Sequence, residues 1–267
     1  MIYRANGAIV DTGSYIDYDS ICKSVNHRGY NSTAPENTLP AFQLSRQNGF
    51  IYVETDVQFT SDGVAVLLHD ASINRTARNS DGTSISSTVN IADITYEQAL
   101  TYDFGVWKSA TYAGTKIPTL AQFLTLCKNL GLKPYLELKA GTQAQIEGIV
   151  DAVKAHGLAG KETYISFESS YLGYVKSYDA TARLGLLGMP GAASSVSSLK
   201  TNYNEVFLDS NSVSSSLAES CKSAGVGYEV WTIDSASTVK SMDAYITGIT
   251  TNGSIKAGQV LYDDNID

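Results

Sequence analysis

Cysteine, histidine and positive charge are all scarce in this chain. Its three cysteines, Cys22, Cys127 and Cys221, fall on separate segments of a 267-residue sequence. An odd number without paired spacing excludes a disulfide framework and a zinc site, and leaves free, partly buried thiols. Lysine and arginine total 19 against 27 acidic residues, a formal charge of -8. That balance argues against nucleic acid or an anionic membrane surface as the main partner. No apolar run approaches the length of a transmembrane segment. The opening residues Met1-Ile2-Tyr3-Arg4-Ala5-Asn6-Gly7 lack the basic region and apolar core of a signal peptide. The abundance of Ser, Thr, Asn and Tyr is nonetheless associated with exported or displayed proteins. Localisation is therefore left between a cytoplasmic default and a domain of a longer surface or virion protein.

What is present is concentrated between Val25 and Asp70. Two of the three histidines, His27 and His69, lie there, with Arg28 beside the first and the acids Glu54 and Asp56 between them. Ser24-Val25-Asn26 is a short strand delivering His27-Arg28-Gly29 to its tip, and the segment from Ala34 opens a helix that runs to Asn48-Gly49. Phe50 to Val57 is β-branched and aromatic, as a strand requires. Residues two apart in a strand share a face, so Glu54 and Asp56 point the same way. Two carboxylates forced together raise one pKa by repulsion, and a hard divalent cation with oxygen ligands removes the conflict. Val64 to Leu68 is wholly apolar and ends on His69-Asp70. Strands that end repeatedly in ionisable residues are how α/β barrels build a site at the C-terminal face.

These residues, with their order and spacing, closely resemble the signature of the glycerophosphodiester phosphodiesterase family. The match runs through His27-Arg28-Gly29, Ala34-Pro35-Glu36-Asn37-Thr38, Glu54-Thr55-Asp56-Val57, Thr60-Ser61-Asp62-Gly63 and His69-Asp70. It continues through Asn74-Arg75-Thr76, Ile117-Pro118-Thr119-Leu120, Glu137-Leu138-Lys139 and Trp231-Thr232-Ile233. The resemblance implies a TIM barrel that binds one divalent cation and hydrolyses phosphodiesters of glycerol phosphate.

The remaining pattern agrees with that fold class, α/β with a TIM (β/α)8 barrel. Residues 1 to 21 read as a lead-in segment, with a hairpin around Thr12-Gly13-Ser14 or a strap under the barrel. Residues 22 to 267 then form the barrel. Strands are expected near Val25, Ile51, Tyr135, Ile165, Leu184, Phe207, Val230 and Ile249, separated by helices. The run 64 to 68 is an extension beside the second of them. Residues 71 to 118 are too long and polar for a simple connection, and the resemblance makes them an insertion capping the active-site mouth. Tyr102, Phe104, Trp107 and Tyr112 either line a pocket there or form the insertion's own core.

Glu137 closes the third strand, so Glu54, Asp56 and Glu137 suit Mg²⁺ or Ca²⁺, the alternative being an ion-pair cluster with Arg28 and Lys139. Histidine is the side-chain type suited to proton transfer near neutral pH, and His27 and His69 are candidates for general acid and base in either order. Arg28 offers a fork for phosphate oxygens and Lys139 a point charge. Trp231 resembles a family residue that packs on the glycerol end of the ligand, and Glu36 and Asn37 brace the loop around His27. Asp234 and Asn252 depart from the family, which has Asn at the first position and Asp at the second. The sequon Asn31-Ser32-Thr33 would place a glycan over the His27 loop and is read as chance. A small glycerophosphodiester is the expected substrate. The alternatives are a glycerol-phosphate polymer such as teichoic acid, the related phospholipase D-type barrel, and a non-catalytic glycan-binding module.

Overall fold

A computed structural model describes residues 2–5, 8–11, 17–188, 196–242 and 246–264. In chain order the elements are β1 (Ile2–Ala5), β2 (Ala8–Asp11), α1 (Tyr18–Ile21), β3 (Lys23–Asn26), α2 (Leu39–Gln47), β4 (Tyr52–Phe59) and β5 (Ala65–Leu67). There follow α3 (Tyr96–Ala99), α4 (Leu120–Leu130), β6 (Lys133–Leu138), α5 (Gln143–Ala155), β7 (Thr163–Ser166) and α6 (Ser169–Tyr178). The last are β8 (Leu184–Leu187), α7 (Val196–Asn202), β9 (Glu205–Asp209), α8 (Ser215–Ala224), β10 (Gly227–Trp231), α9 (Ala236–Ser241), β11 (Gly248–Thr251) and α10 (Ala257–Asp264). The strand order is β3-β11-β10-β9-β8-β7-β6-β4-β5, with β3 also paired to β4. That is the topology of a TIM (β/α)8 barrel, and all eight expected barrel strands are present.

Contacts divide the chain into one compact unit of residues 26–183 and another of residues 1–25 with 184–267. In the first, β4 and β6 run parallel with Glu54 opposite Tyr135 and Asp56 opposite Glu137. β7 adds to β6 in parallel, and β5 turns back antiparallel on the end of β4. Helices α3, α4 and α5 each begin with a reciprocal Thr/Gln capping box, at Thr95/Gln98, Thr119/Gln122 and Thr142/Gln145. Leu120, Phe123, Leu124 and Cys127 form the buried stripe of α4, and Phe123 stacks at a tilt on Phe42 of α2, centroids 4.5 Å apart. Each such side chain contributes roughly 1.5–3 kcal/mol by leaving water.

In the second unit, β8, β9, β10 and β11 pair in parallel. Lys23 of β3 forms ion pairs with the buried Glu205 and Glu229. The side chain of Glu229 lies across Gly248, where a Cβ would sit 2.9 Å from its carboxyl carbon. Asp234 accepts hydrogen bonds from Thr251 Oγ1 and the Asn252 amide, and Asn252 Nδ2 returns one to the other carboxylate oxygen at 2.7 Å. The two residues that depart from the family pattern are thus each other's partners.

Four expectations need correction or completion. The lead-in hairpin pairs Ile2–Ala5 with Ala8–Asp11 rather than turning at Thr12-Gly13-Ser14, and that turn lies outside the described residues. The run Tyr15-Ile16-Asp17-Tyr18, read as the second strand of that hairpin, ends instead in α1, which begins at Tyr18. Helix α2 starts at Leu39, since Asn37 holds a left-handed φ of 55° that no helix accepts. Helix α10 is additional to the expected elements. Its sequence carries Gly258 in the first turn, which weakens the helical signal. The three cysteines are buried and form no disulfide with one another, and no described helix is long and apolar enough to cross a membrane.

Candidate active site

Every candidate site residue, Trp231 apart, lies in the unit of residues 26–183. His27 follows the last residue of β3, and the backbone then turns sharply. Arg28 has φ 56°, one of two non-glycine residues with positive φ among the described residues, and Gly29 follows with φ 80°. A Cβ on Gly29 would lie 2.7 Å from that of Ala41, so this turn is pressed against α2. A left-handed arginine costs roughly 1–2 kcal/mol, and such strain persists where surrounding contacts impose it. Here they do: the Arg28 amide donates to Glu54 Oε2 at 2.9 Å, and its carbonyl accepts from the Asn37 amide at 3.0 Å.

Glu54 and Asp56 share a face of β4, as their spacing requires, and the parallel register sets Glu137 of β6 beside Asp56. One oxygen from each of the three carboxylates lies within 4.8 Å of the others. Burial, then repulsion from Asp56 and Glu137, pushes Glu54 well above the usual carboxylate range. Burial and then Asp56 push Glu137 up to about 7, although Lys139 draws it down. Arg28 Nε stands 3.3 Å from Asp56 Oδ2, and Lys139 Nζ stands 3.0 Å from Glu137 Oε1 and 3.7 Å from Asp56 Oδ1. Two cations thus face three acids. Glu54 Oε1 and Asp56 Oδ1 are buried without a hydrogen-bond partner. Oxygens in that state, on a cluster with surplus negative charge, suit a hard divalent cation.

Asn37 does more than brace the loop. Its Nδ2 donates to Asp56 Oδ2 at 2.8 Å, and its Oδ1 accepts from Thr55 Oγ1 at 2.8 Å and the Asp56 amide at 3.3 Å. Gln58 was not anticipated. Its buried amide is shared among the carbonyls of Leu68, His69 and Asp70 at 2.7, 3.0 and 2.7 Å, holding the backbone that presents His69. The signal was available, because Gln58 continues the two-residue period of Glu54 and Asp56. Asp70 and Arg75 were present only as parts of a quoted motif. Asp70 accepts from His69 Nδ1 at 2.6 Å and from Arg75 Nε at 2.6 Å. The hydrogen bond from Arg75 is the main reason that Asp70 sits down at about 2.

Residues 71–118 pack Ile73, Ala77, Ile91, Ala99, Phe104 and Ile117 onto Val66 and Leu68, with Tyr102 against them. Phe104 and Tyr102 therefore serve this segment's own core. Asp103 ties its end together by accepting from the amides of Gly105, Val106 and Gly114. Lys108 reaches back to the Asn31 carbonyl at 2.6 Å, and Asn31 Nδ2 donates to the His27 carbonyl at 2.7 Å. The sequon asparagine is thus engaged in the loop itself. Trp231 ends β10 in the other unit.

With this geometry in place, comparisons with known proteins agree on one family. The family model for the glycerophosphoryl diester phosphodiesterase family matches residues 27–255. A glycerophosphodiester phosphodiesterase of Caldanaerobacter subterraneus is 29% identical over 238 residues, covering 85% of this chain and 92% of that protein. Human glycerophosphodiester phosphodiesterase 1 is 31% identical over 150 residues, 55% of this chain and 40% of its own length. Among solved structures, a phosphodiesterase from Oleispira antarctica in complex with the product sn-glycerol-3-phosphate has a TM-score of 0.80 at 24% identity. It covers 90% of this chain and 96% of its own. A glycerophosphodiester phosphodiesterase from Agrobacterium tumefaciens has a TM-score of 0.75 at 22% identity, over 89% and 99%.

Proposed function

Since the chain belongs to the glycerophosphoryl diester phosphodiesterase family, and is thereby a phosphoric diester hydrolase, we propose that it cleaves small glycerophosphodiesters to glycerol 3-phosphate and an alcohol with the help of one divalent cation. One observation carries this reading. Three carboxylates within 4.8 Å, two of them with unpartnered buried oxygens, adjoin an arginine and a lysine that can bind phosphate. Glu54, Asp56 and Glu137 would hold Mg²⁺ or Ca²⁺, which when bound supplies Lewis-acid neutralisation of a non-bridging phosphate oxygen. Arg28 and Lys139 bind the remaining phosphate oxygens and offset charge that develops in the transition state.

His27 and His69 carry the protons. One accepts a proton from water or a neighbouring glycerol hydroxyl, and the other delivers one to the departing alcohol oxygen. Attack by the internal hydroxyl gives a cyclic phosphate before glycerol 3-phosphate. Residues 71–118 form a cap that shapes substrate choice from the rim. The product complex of the Oleispira neighbour favours a small diester, and no observation here favours a polymer or a non-catalytic module.

The test is release of glycerol 3-phosphate from glycerophosphocholine, with and without EDTA, by the wild type and His69→Ala. Metal-dependent release that the substitution abolishes is the expected result. No release with added Mg²⁺ or Ca²⁺ would refute the small-diester reading.

A further inference from the structure

Beyond the groups assigned so far, a chain of alternating charges links His69 to Arg28. Asp70 Oδ1 meets His69 Nδ1 at 2.6 Å, and Asp70 Oδ2 takes the Nε of Arg75 at 2.6 Å. The far edge of the same guanidinium meets Glu36 in a two-point pair, Nη1 to Oε2 and Nη2 to Oε1, both 2.8 Å. Glu36 Oε1 also accepts from Arg28 Nη1 at 2.9 Å. Arg75 therefore joins two loops that are 39 residues apart in sequence, the one that presents His69 and the one that follows His27 and Arg28.

We propose that Asp70 and Arg75 are positioning residues, which hold the His69 ring with its proton on Nδ1 and its Nε2 turned to the reaction, and which set the Arg28 fork through Glu36. This rests on the catalytic role given to His69 above.

The argument is one of donors and acceptors. An ionised carboxylate only accepts, so at 2.6 Å the imidazole Nδ1 must be the donor. In the neutral ring the lone pair then lies on Nε2, and all proton traffic at His69 runs through that atom. Arg75 keeps Asp70 in its accepting state by occupying its other oxygen, with a second contact from Nη2 to Oδ1 at 3.2 Å. Burial alone would raise Glu36, but its bonds to Arg75 and Arg28 bring it below its ordinary value. Both carboxylates of the tether are thus anionic, and its geometry is the planar two-point kind that a lysine cannot reproduce. Arg75 is 45% exposed, so its role is alignment more than stability.

The chain has only three histidines, which makes the test direct. His156 serves as an internal standard, since its Nδ1 meets the Ala152 carbonyl at 2.6 Å and must also carry a proton. Two-dimensional ¹H–¹⁵N NMR of the ring nitrogens, above the pH at which the rings titrate, reads each tautomer without reference to activity. His69 should match His156 in the wild type. Asp70→Asn and Arg75→Gln should move His69 toward the Nε2–H form and leave His156 unchanged, with Arg75→Lys retaining more of the native tautomer than Arg75→Gln. In the glycerophosphocholine assay Asp70→Asn should lose tenfold or more in kcat, with KM changed less than about twofold. Arg75→Gln should also raise KM, because Arg28 loses its brace.

An Nε2–H form of His69 in the wild type, or a tautomer that both substitutions leave unchanged, overturns the proposal. The predicted tautomer shifts in the variants, beside a wild type that hydrolyses no diester, support the tether and overturn the catalytic reading instead.

Discussion

Glu137→Gln is expected to stabilise the metal-free protein while it abolishes activity. Glu137 lies beside Asp56 with a side chain only 12% exposed, and its carboxyl is raised from 4.5 to about 7 by burial and then by Asp56. In the unfolded chain it titrates at its ordinary value. Between pH 4.5 and about 7 the folded state therefore binds more protons than the unfolded one, and stability falls as pH rises through that window. A rise of this size is worth about 3 kcal/mol, fully expressed above pH 7 and absent below pH 4.5. Glutamine keeps an oxygen for Lys139 and offers an N–H to Asp56, and it never ionises. After EDTA treatment the variant should thus unfold later than the wild type at pH 8, by roughly 6–12 °C for a chain of this size, and the two should converge near pH 4.5. Added Mg²⁺ or Ca²⁺ should reverse the order, since a cation at about a thousand times its Kd stabilises the wild type by about 4.1 kcal/mol, more than the gap of about 3 kcal/mol, while the variant has lost a ligand. Differential scanning fluorimetry across pH, with and without metal, reads both effects. A variant no more stable than the wild type at pH 8, or a gap independent of pH, would refute the claim that these carboxylates are in conflict without a cation.

Three further outcomes follow from the site. Asn37→Ala removes the one side chain that donates to Asp56 and accepts from Thr55 and the Asp56 amide, and it should cost about 3–5 kcal/mol in urea denaturation, as buried polar groups are left unmade. Gly29→Ala meets both a φ of 80° and Ala41 at 2.7 Å, so a loss of about 2–5 kcal/mol is expected, with a fall in kcat/KM as Arg28 shifts off Glu54. Gln58→Met removes the shared donor beneath His69; activity should drop at least tenfold while KM holds, and an unchanged kcat would show that the His69 backbone needs no such anchor.

The strands and the acid trio were legible in sequence because they obey local periods. Glu54 and Asp56 share a face by spacing alone, and the Thr-x-x-Gln boxes and Gly131 mark helix ends where they occur. What local pattern does not reveal is pairing across distance. The tether from Asp70 through Arg75 to Glu36, the reach of Lys108 to Asn31, and the ion pairs of Lys23 with Glu205 and Glu229 each join residues far apart in sequence. The late start of α2, after the Pro35-Glu36-Asn37 loop, was missed for a related reason. The left-handed Asn37 is imposed by its bonds to Asp56 and Arg28, which no helix propensity anticipates.

The Asp234–Asn252 pair has a consequence for ancestry. By the resemblance read from the sequence, the family carries the same two side chains in exchanged positions, and in this chain Asn252 donates to Asp234 from both its backbone amide and Nδ2. A lineage moving between the two arrangements one codon at a time must pass through Asp–Asp or Asn–Asn. The first would set two carboxylates at hydrogen-bond distance and hold one proton between them. The second needs only an amide rotated by half a turn to restore donor to acceptor. The permissive route therefore runs through twin asparagines, and a descendant caught midway should keep a working barrel rim.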